Sequence, residues 1–336
     1  MIEGHGDDLF RYGDGIKYNF SSNIPSSVDH TGLSDHLHGL GDIFGNYPEP
    51  SPVSIERLLA EKHGIDVDNV IVTNGATEAI YLIAQLYHGK KSTILIPTFR
   101  EYQDACSIFS HQLNFVASPY DISGVSDLVW ICNPNNPTGL VLDYENFLRI
   151  IDRNEKTLFI VDQAYELYSI KKVLSIADVI ERSNIIMLKS FTKRYAVPGL
   201  RVGYAIGPKN LILNLKKIRM PWSVNSTAIE GAKFLLTHKE DISACKVGMY
   251  HEAERLIKEF RDLGIRAYDT DCNFFLAETP VKTAAELKKW LIQNYGILIR
   301  EASNFEGLTD KYFRIAAQSR KENDILINAL KEWMSL

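Results

Sequence analysis

The chain is poor in cysteine and shows no pattern among the few it has. Cys106, Cys132, Cys245 and Cys272 lie far apart with no CxxC spacing. Neither a disulfide framework nor a zinc site is supported, and reduced thiols of a cytoplasmic protein are expected. No apolar run approaches the roughly 18 residues of a membrane span, so no membrane partner is expected. The opening stretch MIEGHGDDLFRYGDG holds no apolar signal core, which argues against export. Excess positive charge is missing too. The 37 Lys and Arg are outnumbered by 42 Asp and Glu, for a net charge of −5, and the basic residues are scattered. That argues against nucleic acid as a partner. The sequence contains no P-loop, no GxGxxG, no low-complexity tract and no internal repeat, and nothing marks a nucleophilic serine. His30, His36 and His38 cluster in SVDHTGLSDHLHG. That segment reads as a polar solvated loop without ligand spacing, so no metal site is expected.

What is present points to a globular α/β protein. A length of 336 residues, 45% apolar and 24% charged, suggests about two domains at roughly 150 residues each. Short apolar runs recur at Val70–Thr73, Thr93–Ile96, Leu128–Cys132, Leu158–Asp162, Ile185–Leu188 and Val202–Ile206. They do not alternate, as expected of strands covered on both faces. Amphipathic stretches such as Thr77–Tyr87 and Tyr144–Asp152 separate several of them. The pattern predicts a mainly parallel sheet in a large α/β domain, assigned to residues 31–225. The remainder, residues 1–30 and 226–336, is expected to form a smaller α+β domain that completes the site. Its predicted parts are a long helical stretch over Ser226–Leu263, strands near Phe274–Ala277, Ile297–Arg300 and Phe313–Ala316, and helices near Ala284–Asn294 and from Lys321.

Ligands in such folds gather at the carboxyl ends of the strands, and the chemically suggestive residues all fall there. After Ile185–Leu188 come Ser190, Thr192, Lys193 and Arg201 in SFTKRYAVPGLR. An amine beside hydroxyls and a guanidinium can form a Schiff base with an aldehyde that carries a phosphate, namely pyridoxal 5′-phosphate. Leu158–Val161 ends at Asp162, with Tyr165 three residues on. A carboxylate ending a buried strand needs a partner. A protonated pyridine nitrogen suits, although an Asp capping the next helix explains it too. The turn Asn74-Gly75-Ala76-Thr77 feeds a helix N-terminus, which attracts anions; an N-cap threonine explains this turn equally well. PTFREY supplies Tyr102, a ring able to stack on a heteroaromatic group or simply to pack. In CNPNNPTG the prolines and asparagines force a rigid turn that offers Asn136 as a hydrogen-bond donor.

The ordered set SFTKRYAVPGLR, CNPNNPTG and VDQAYE resembles the fold-type I pyridoxal-phosphate enzymes of the aminotransferase class I/II group, along nearly the whole chain. The resemblance implies that Lys193 carries the imine and moves the proton, and that Asp162 pairs with the pyridine nitrogen. It implies that Asn136 and Tyr165 hold the ring oxygen and that Tyr102 stacks on the ring. Gly75, Ala76, Ser190, Thr192 and Arg201 would hold the phosphate. Tyr47 would reach the phosphate of a neighbouring subunit, which implies a homodimer with shared sites. Gln163 departs from the family's usual Glu, with little expected effect on the chemistry.

The same resemblance assigns Arg314 to the substrate carboxylate, where a planar fork binds two oxygens, and leaves Arg320 as an exposed helix-start residue. GHG at 4–6, RMPWSVN at 219–225 and ILIREASNFEGLTDKYFR at 297–314 resemble the family branch that decarboxylates threonine phosphate, the source of aminopropanol phosphate for cobalamin. His5, Asn23 and Arg300 would then bind a substrate phosphate. The departures His5-Gly6-Asp7-Asp8 and Asn23-Ile24-Pro25 put acids near that phosphate and shorten a loop. The alternative within the family is a transaminase of the histidinol-phosphate type. A pyridoxal-phosphate-binding regulator without turnover is a third reading, opposed by the lack of a basic DNA-binding stretch. The bond standing perpendicular to the cofactor ring decides between CO2 loss and transamination, so orientation is expected to select the reaction.

Overall fold

The computed structural model describes residues 6–26, 28–122, 126–238 and 242–335. Its centre is a seven-stranded sheet, in the order Val70–Thr73, Gly203–Ile206, Ile185–Ser190, Leu158–Asp162, Leu128–Cys132, Lys91–Leu95, Gln112–Val116. Gly203–Ile206 runs antiparallel to both of its neighbours, and the other pairings are parallel. The apolar runs serve two cores at once, because successive side chains leave a strand on opposite faces. Val129, Ile131, Phe159 and Val161 join the core on one face. Leu128, Trp130, Leu158 and Ile160 join the core on the other. Helices Gly75–Leu86 and Tyr144–Arg153 lie where amphipathic patterning places them, the second capped by the Asp143 carboxylate on the Asn146 amide at 2.9 Å.

Several expectations change. Gln112–Val116 is a further strand; it lies at the sheet edge with no fully buried residue, so its sequence carries no core signal. Thr31–His38, read as a loop, is a helix. The stretch Ser226–Leu263 is divided into helices Ser226–His238 and Lys246–Asp262. The first of these packs into the larger unit, where Ala228, Ile229, Ala232 and Leu235 share a core with Leu33 and Ile55. A boundary at residue 225 therefore cuts through that core.

The smaller unit holds an antiparallel sheet in the order Arg300–Glu301, Tyr312–Ala316, Phe274–Glu278, Arg266–Ala267. Helices Lys246–Asp262, Ala284–Tyr295 and Arg320–Trp333 complete it, the last two opened by capping boxes at Thr283 and Ser319. The strand expected at Ile297–Arg300 proves to be two. Ile297–Leu298 pairs in parallel with Tyr18–Asn19, while Arg300–Glu301 turns into the four-stranded sheet and sets Arg300 opposite Arg314. The first pairing brings the N-terminal segment to the large sheet's carboxyl edge, and the second brings two arginines there.

Candidate active site

A cavity of 280 Å³ opens at that edge, walled on one side by Ala76, Asp162 and Lys193 and on the other by Asp7, Arg300 and Arg314. Lys193 follows the strand Ile185–Ser190 in a short helical turn, Phe191–Arg194. The Tyr168 hydroxyl donates to the Lys193 carbonyl at 3.0 Å and fixes that turn. Nζ donates to the Ser22 carbonyl at 2.6 Å and stands 5.5 Å from the centre of the Tyr165 ring. Burial, and next the positive charge of Arg314, depress the ammonium to about 7, against the pull of Asp7 and Asp162. The arrangement favours a neutral amine, the nucleophilic form.

Asp162 is buried at the end of its strand. Its carboxylate accepts from the Ala164 amide at 2.9 Å and from the Tyr102 hydroxyl at 2.7 Å. Burial nevertheless raises its pKa, so a cationic partner in the cavity would relieve a real desolvation cost. Tyr102 lines the cavity with its ring stacked on Trp130 at 5.7 Å, so the ring read as a stacking platform also supports the acid. Tyr165 is buried beneath Lys193, and its phenol is pushed up to about 12, first by burial. Gln163 faces the Leu174 carbonyl and Lys189 and is not part of the cavity wall, so the departure there leaves the site intact.

An anion cradle lies beside the lysine. Ala76, Ser190, Thr192 and Arg201 line it. Gly75 has φ of 70°, and a Cβ there would meet Arg201 Nη2 at 2.4 Å; a Cβ on Gly203 would meet the Ala76 nitrogen at 2.3 Å. Only glycine at 203 lets that strand approach the Ala76 backbone so closely, and the left-handed φ at 75 favours glycine there. The helix Gly75–Leu86 directs its free amides here. Arg201 is held by Nη1 on Thr192 Oγ1 at 3.4 Å and on the Pro198 carbonyl at 3.3 Å. A cradle for a phosphate, a depressed amine and a buried acid lie in one wall. These residues fit pyridoxal 5′-phosphate.

In the opposite wall Arg314 donates to Asn136 Oδ1 and to the Ser21 carbonyl, while its buried Nε has no protein partner. Accepting at its oxygen leaves Asn136 its amide N–H groups to donate. Arg300 stacks its guanidinium 5.0 Å above Phe305 and donates to Asn304 Oδ1 at 2.6 Å. Burial and the neighbouring Arg314 lower Arg300 to about 10. Asn23 is fully buried with its side chain against the Tyr165 phenol, whose pKa it holds down. It does not line the cavity, so its assignment to a substrate phosphate is not met by its position here. Of the two acids near the proposed phosphate, Asp8 turns away and pairs with Lys288 at 2.8 Å. Asp7 stays in the wall, its carboxylate bonded by Asn19 Nδ2 at 2.5 Å. His5 lies outside the described residues. Arg320 is exposed and pairs with Glu252 at 3.5 Å. Tyr47 is 85% exposed beside Trp222, their rings 5.5 Å apart, and takes no part in its own chain's cavity. Among the described residues no cluster of metal-ligating side chains occurs.

Sequence reasoning passed over two residues of the cavity mouth, Arg100 and Asn304. Arg100 stands two places before Tyr102 in PTFREY and Asn304 lies in EASNFEG, and no local pattern singles out either one. Their convergence is long-range, since the Asn304 carbonyl accepts from Arg100 Nη1 at 3.3 Å.

Comparison with known proteins agrees with this geometry. The family model for aminotransferase class I and II matches residues 16–330. A provisionally named threonine-phosphate decarboxylase of Caldanaerobacter subterraneus is 31% identical over 303 residues, 85% of this chain and 82% of that protein. A histidinol-phosphate aminotransferase of Thermoanaerobacter pseudethanolicus is 34% identical over 310 residues, covering 85% and 84%. The crystal structure of L-threonine-O-3-phosphate decarboxylase from Porphyromonas gingivalis superposes with a TM-score of 0.92 at 35% identity, covering 95% of this chain and 100% of that one.

Proposed function

This chain belongs to the aminotransferase class I and II family and is a pyridoxal 5′-phosphate-dependent enzyme; from that footing we propose that it decarboxylates L-threonine O-3-phosphate to aminopropanol phosphate. The observation that carries the reading is the pair Arg300 and Arg314. They stand opposite each other on adjacent strands and line one cavity with Lys193. Two guanidiniums at that spacing suit a small molecule with a carboxylate at one end and a phosphate at the other. The likeness to the Porphyromonas enzyme points the same way.

The bound cofactor supplies an electron sink for the pair left on the substrate Cα. This chain's residues do the rest. Lys193, about half neutral at pH 7, would hold the cofactor aldehyde and carry the proton destined for Cα. Asp162 would hold the proton on the ring nitrogen. Tyr165 and Asn136 would steady the ring oxygen and Tyr102 would back the ring. Gly75, Ala76, Ser190, Thr192 and Arg201 would grip the cofactor phosphate. Arg314 grips the carboxylate, and the angle it imposes selects the bond that breaks.

The test is direct. Incubation with L-threonine O-3-phosphate should release CO2, and absence of CO2 defeats the reading. A second reading is supported by the 34% identity to a histidinol-phosphate aminotransferase: transamination of histidinol phosphate, read as glutamate formed from 2-oxoglutarate. We further propose a cytoplasmic homodimer. Tyr47, Phe44, Met220 and Trp222 are exposed large apolar side chains near one another in sequence or space. Burying them against a second copy would bring Tyr47 to the neighbour's cofactor phosphate. No helix among the described residues is long and apolar enough to cross a membrane.

A further inference from the structure

Arg100 has no role in the scheme above, yet it lines the same cavity. It stands just ahead of the helix Glu101–Ile108, with its Nε on Asp104 at 3.1 Å. Its Nη1 reaches across to the smaller unit, to the Asn304 carbonyl at 3.3 Å. The side chain of that same Asn304 accepts from Arg300 at 2.6 Å. Two guanidiniums from different units thus grip one residue at the cavity mouth. Arg100 Nη2 has no acceptor among the described residues.

The charges lining the cavity make the case sharper. Lys193, Arg201 and Asp162 are taken up by the cofactor. Three guanidiniums, Arg100, Arg300 and Arg314, are left facing a single carboxylate, Asp7. A phosphorylated amino acid brings a carboxylate, an ammonium and a phosphate of charge about −1.5 to −2, or roughly two net negative charges. Arg300 and Arg314 can each take one anionic end of the substrate, but set against Asp7 they leave one positive charge, short of that total. Arg100, its charge partly offset by Asp104 at 3.1 Å, is the cation that brings the cavity towards that total. Asp104 does not line the cavity, so its pairing at Nε leaves the other edge of the guanidinium for a ligand.

We propose that Arg100 is a specificity-determining residue that binds the distal phosphate of the substrate together with Arg300. The proposal rests on the phosphorylated-substrate reading above. Its contribution is a charge-assisted fork on phosphate oxygens, so it acts on ligands that carry the phosphate and spares those that lack it.

The experiment measures binding to the holoenzyme from the change in cofactor absorbance, which needs no particular turnover. The probes are O-phospho-L-threonine and L-threonine. Wild type should prefer the phosphorylated probe. Arg100→Gln should weaken that probe by about tenfold or more and leave L-threonine within about twofold. Arg100→Lys keeps the charge without the fork and should fall between; it also serves if the glutamine variant folds poorly. A wild-type preference that survives in Arg100→Gln overturns the role of Arg100 alone. Equal weakening of both probes also overturns it, because a mere clamp on Asn304 would act so. A wild type with no preference overturns the parent reading and this proposal with it.

Discussion

The depressed amine of Lys193 makes a quantitative prediction about how the stripped protein takes up its cofactor. An ordinary lysine has a value of 10.5, whereas burial and Arg314 bring this one to about 7. At pH 7 roughly half of Lys193 is therefore neutral, on the order of 10³-fold more than for an exposed lysine. The assay follows covalent capture of pyridoxal 5′-phosphate from pH 5.5 to 10, with borohydride trapping and peptide mapping to position 193. The capture rate should rise with a midpoint near 7. The neighbours fix the direction of each variant. Arg314 pushes the value down, so Arg314→Gln should move the midpoint above 7. Asp7 pulls it up, so Asp7→Asn should move it below. A wild-type midpoint above 9, or variants that shift together, would refute the electrostatic account. Linkage supplies a second check. The folded value lies below the unfolded one, so the buried ammonium costs the most stability below pH 7 and the cost fades as pH rises towards 10.5. Cofactor-free Lys193→Met should accordingly gain stability over wild type at pH 6 and lose that gain by pH 10.

Three further outcomes follow from the packing. Gly203→Ala places a methyl 2.3 Å from the Ala76 nitrogen; it should cost about 1–3 kcal/mol of stability and release the cofactor during gel filtration. Tyr102→Phe removes the 2.7 Å bond to Asp162, and the cofactor-free protein should lose about 1.5–3 kcal/mol in urea unfolding. Glu166→Gln strips the carboxylate from Lys189 and Arg194, which it bridges. Lys189 is buried but Glu166 and Arg194 are partly exposed, so the loss should stay below the about 3–5 kcal/mol of a fully buried pair; the urea midpoint should fall while the preference between phosphorylated and plain threonine stays the same.

The sequence by itself determined six of the seven strands of the central sheet and which residues lie at their carboxyl ends. Runs such as LVWIC and LFIV are apolar throughout because both faces of those strands are covered, and that shows in a single line of residues. Lys193, Asp162, Asn136 and Gly75 were legible for a related reason. Each lies within a few residues of a strand end, so local order alone places it at the ligand edge. The opposite wall was decided only by tertiary structure. Arg300 reaches Arg314 because a short strand changes sheets after Leu298, and Arg100 reaches Asn304 across more than half the chain. Asp8 and Asp7 are adjacent and chemically alike, yet Lys288 draws one away and the cavity keeps the other. Such choices depend on which distant side chain arrives, and no local periodicity encodes that.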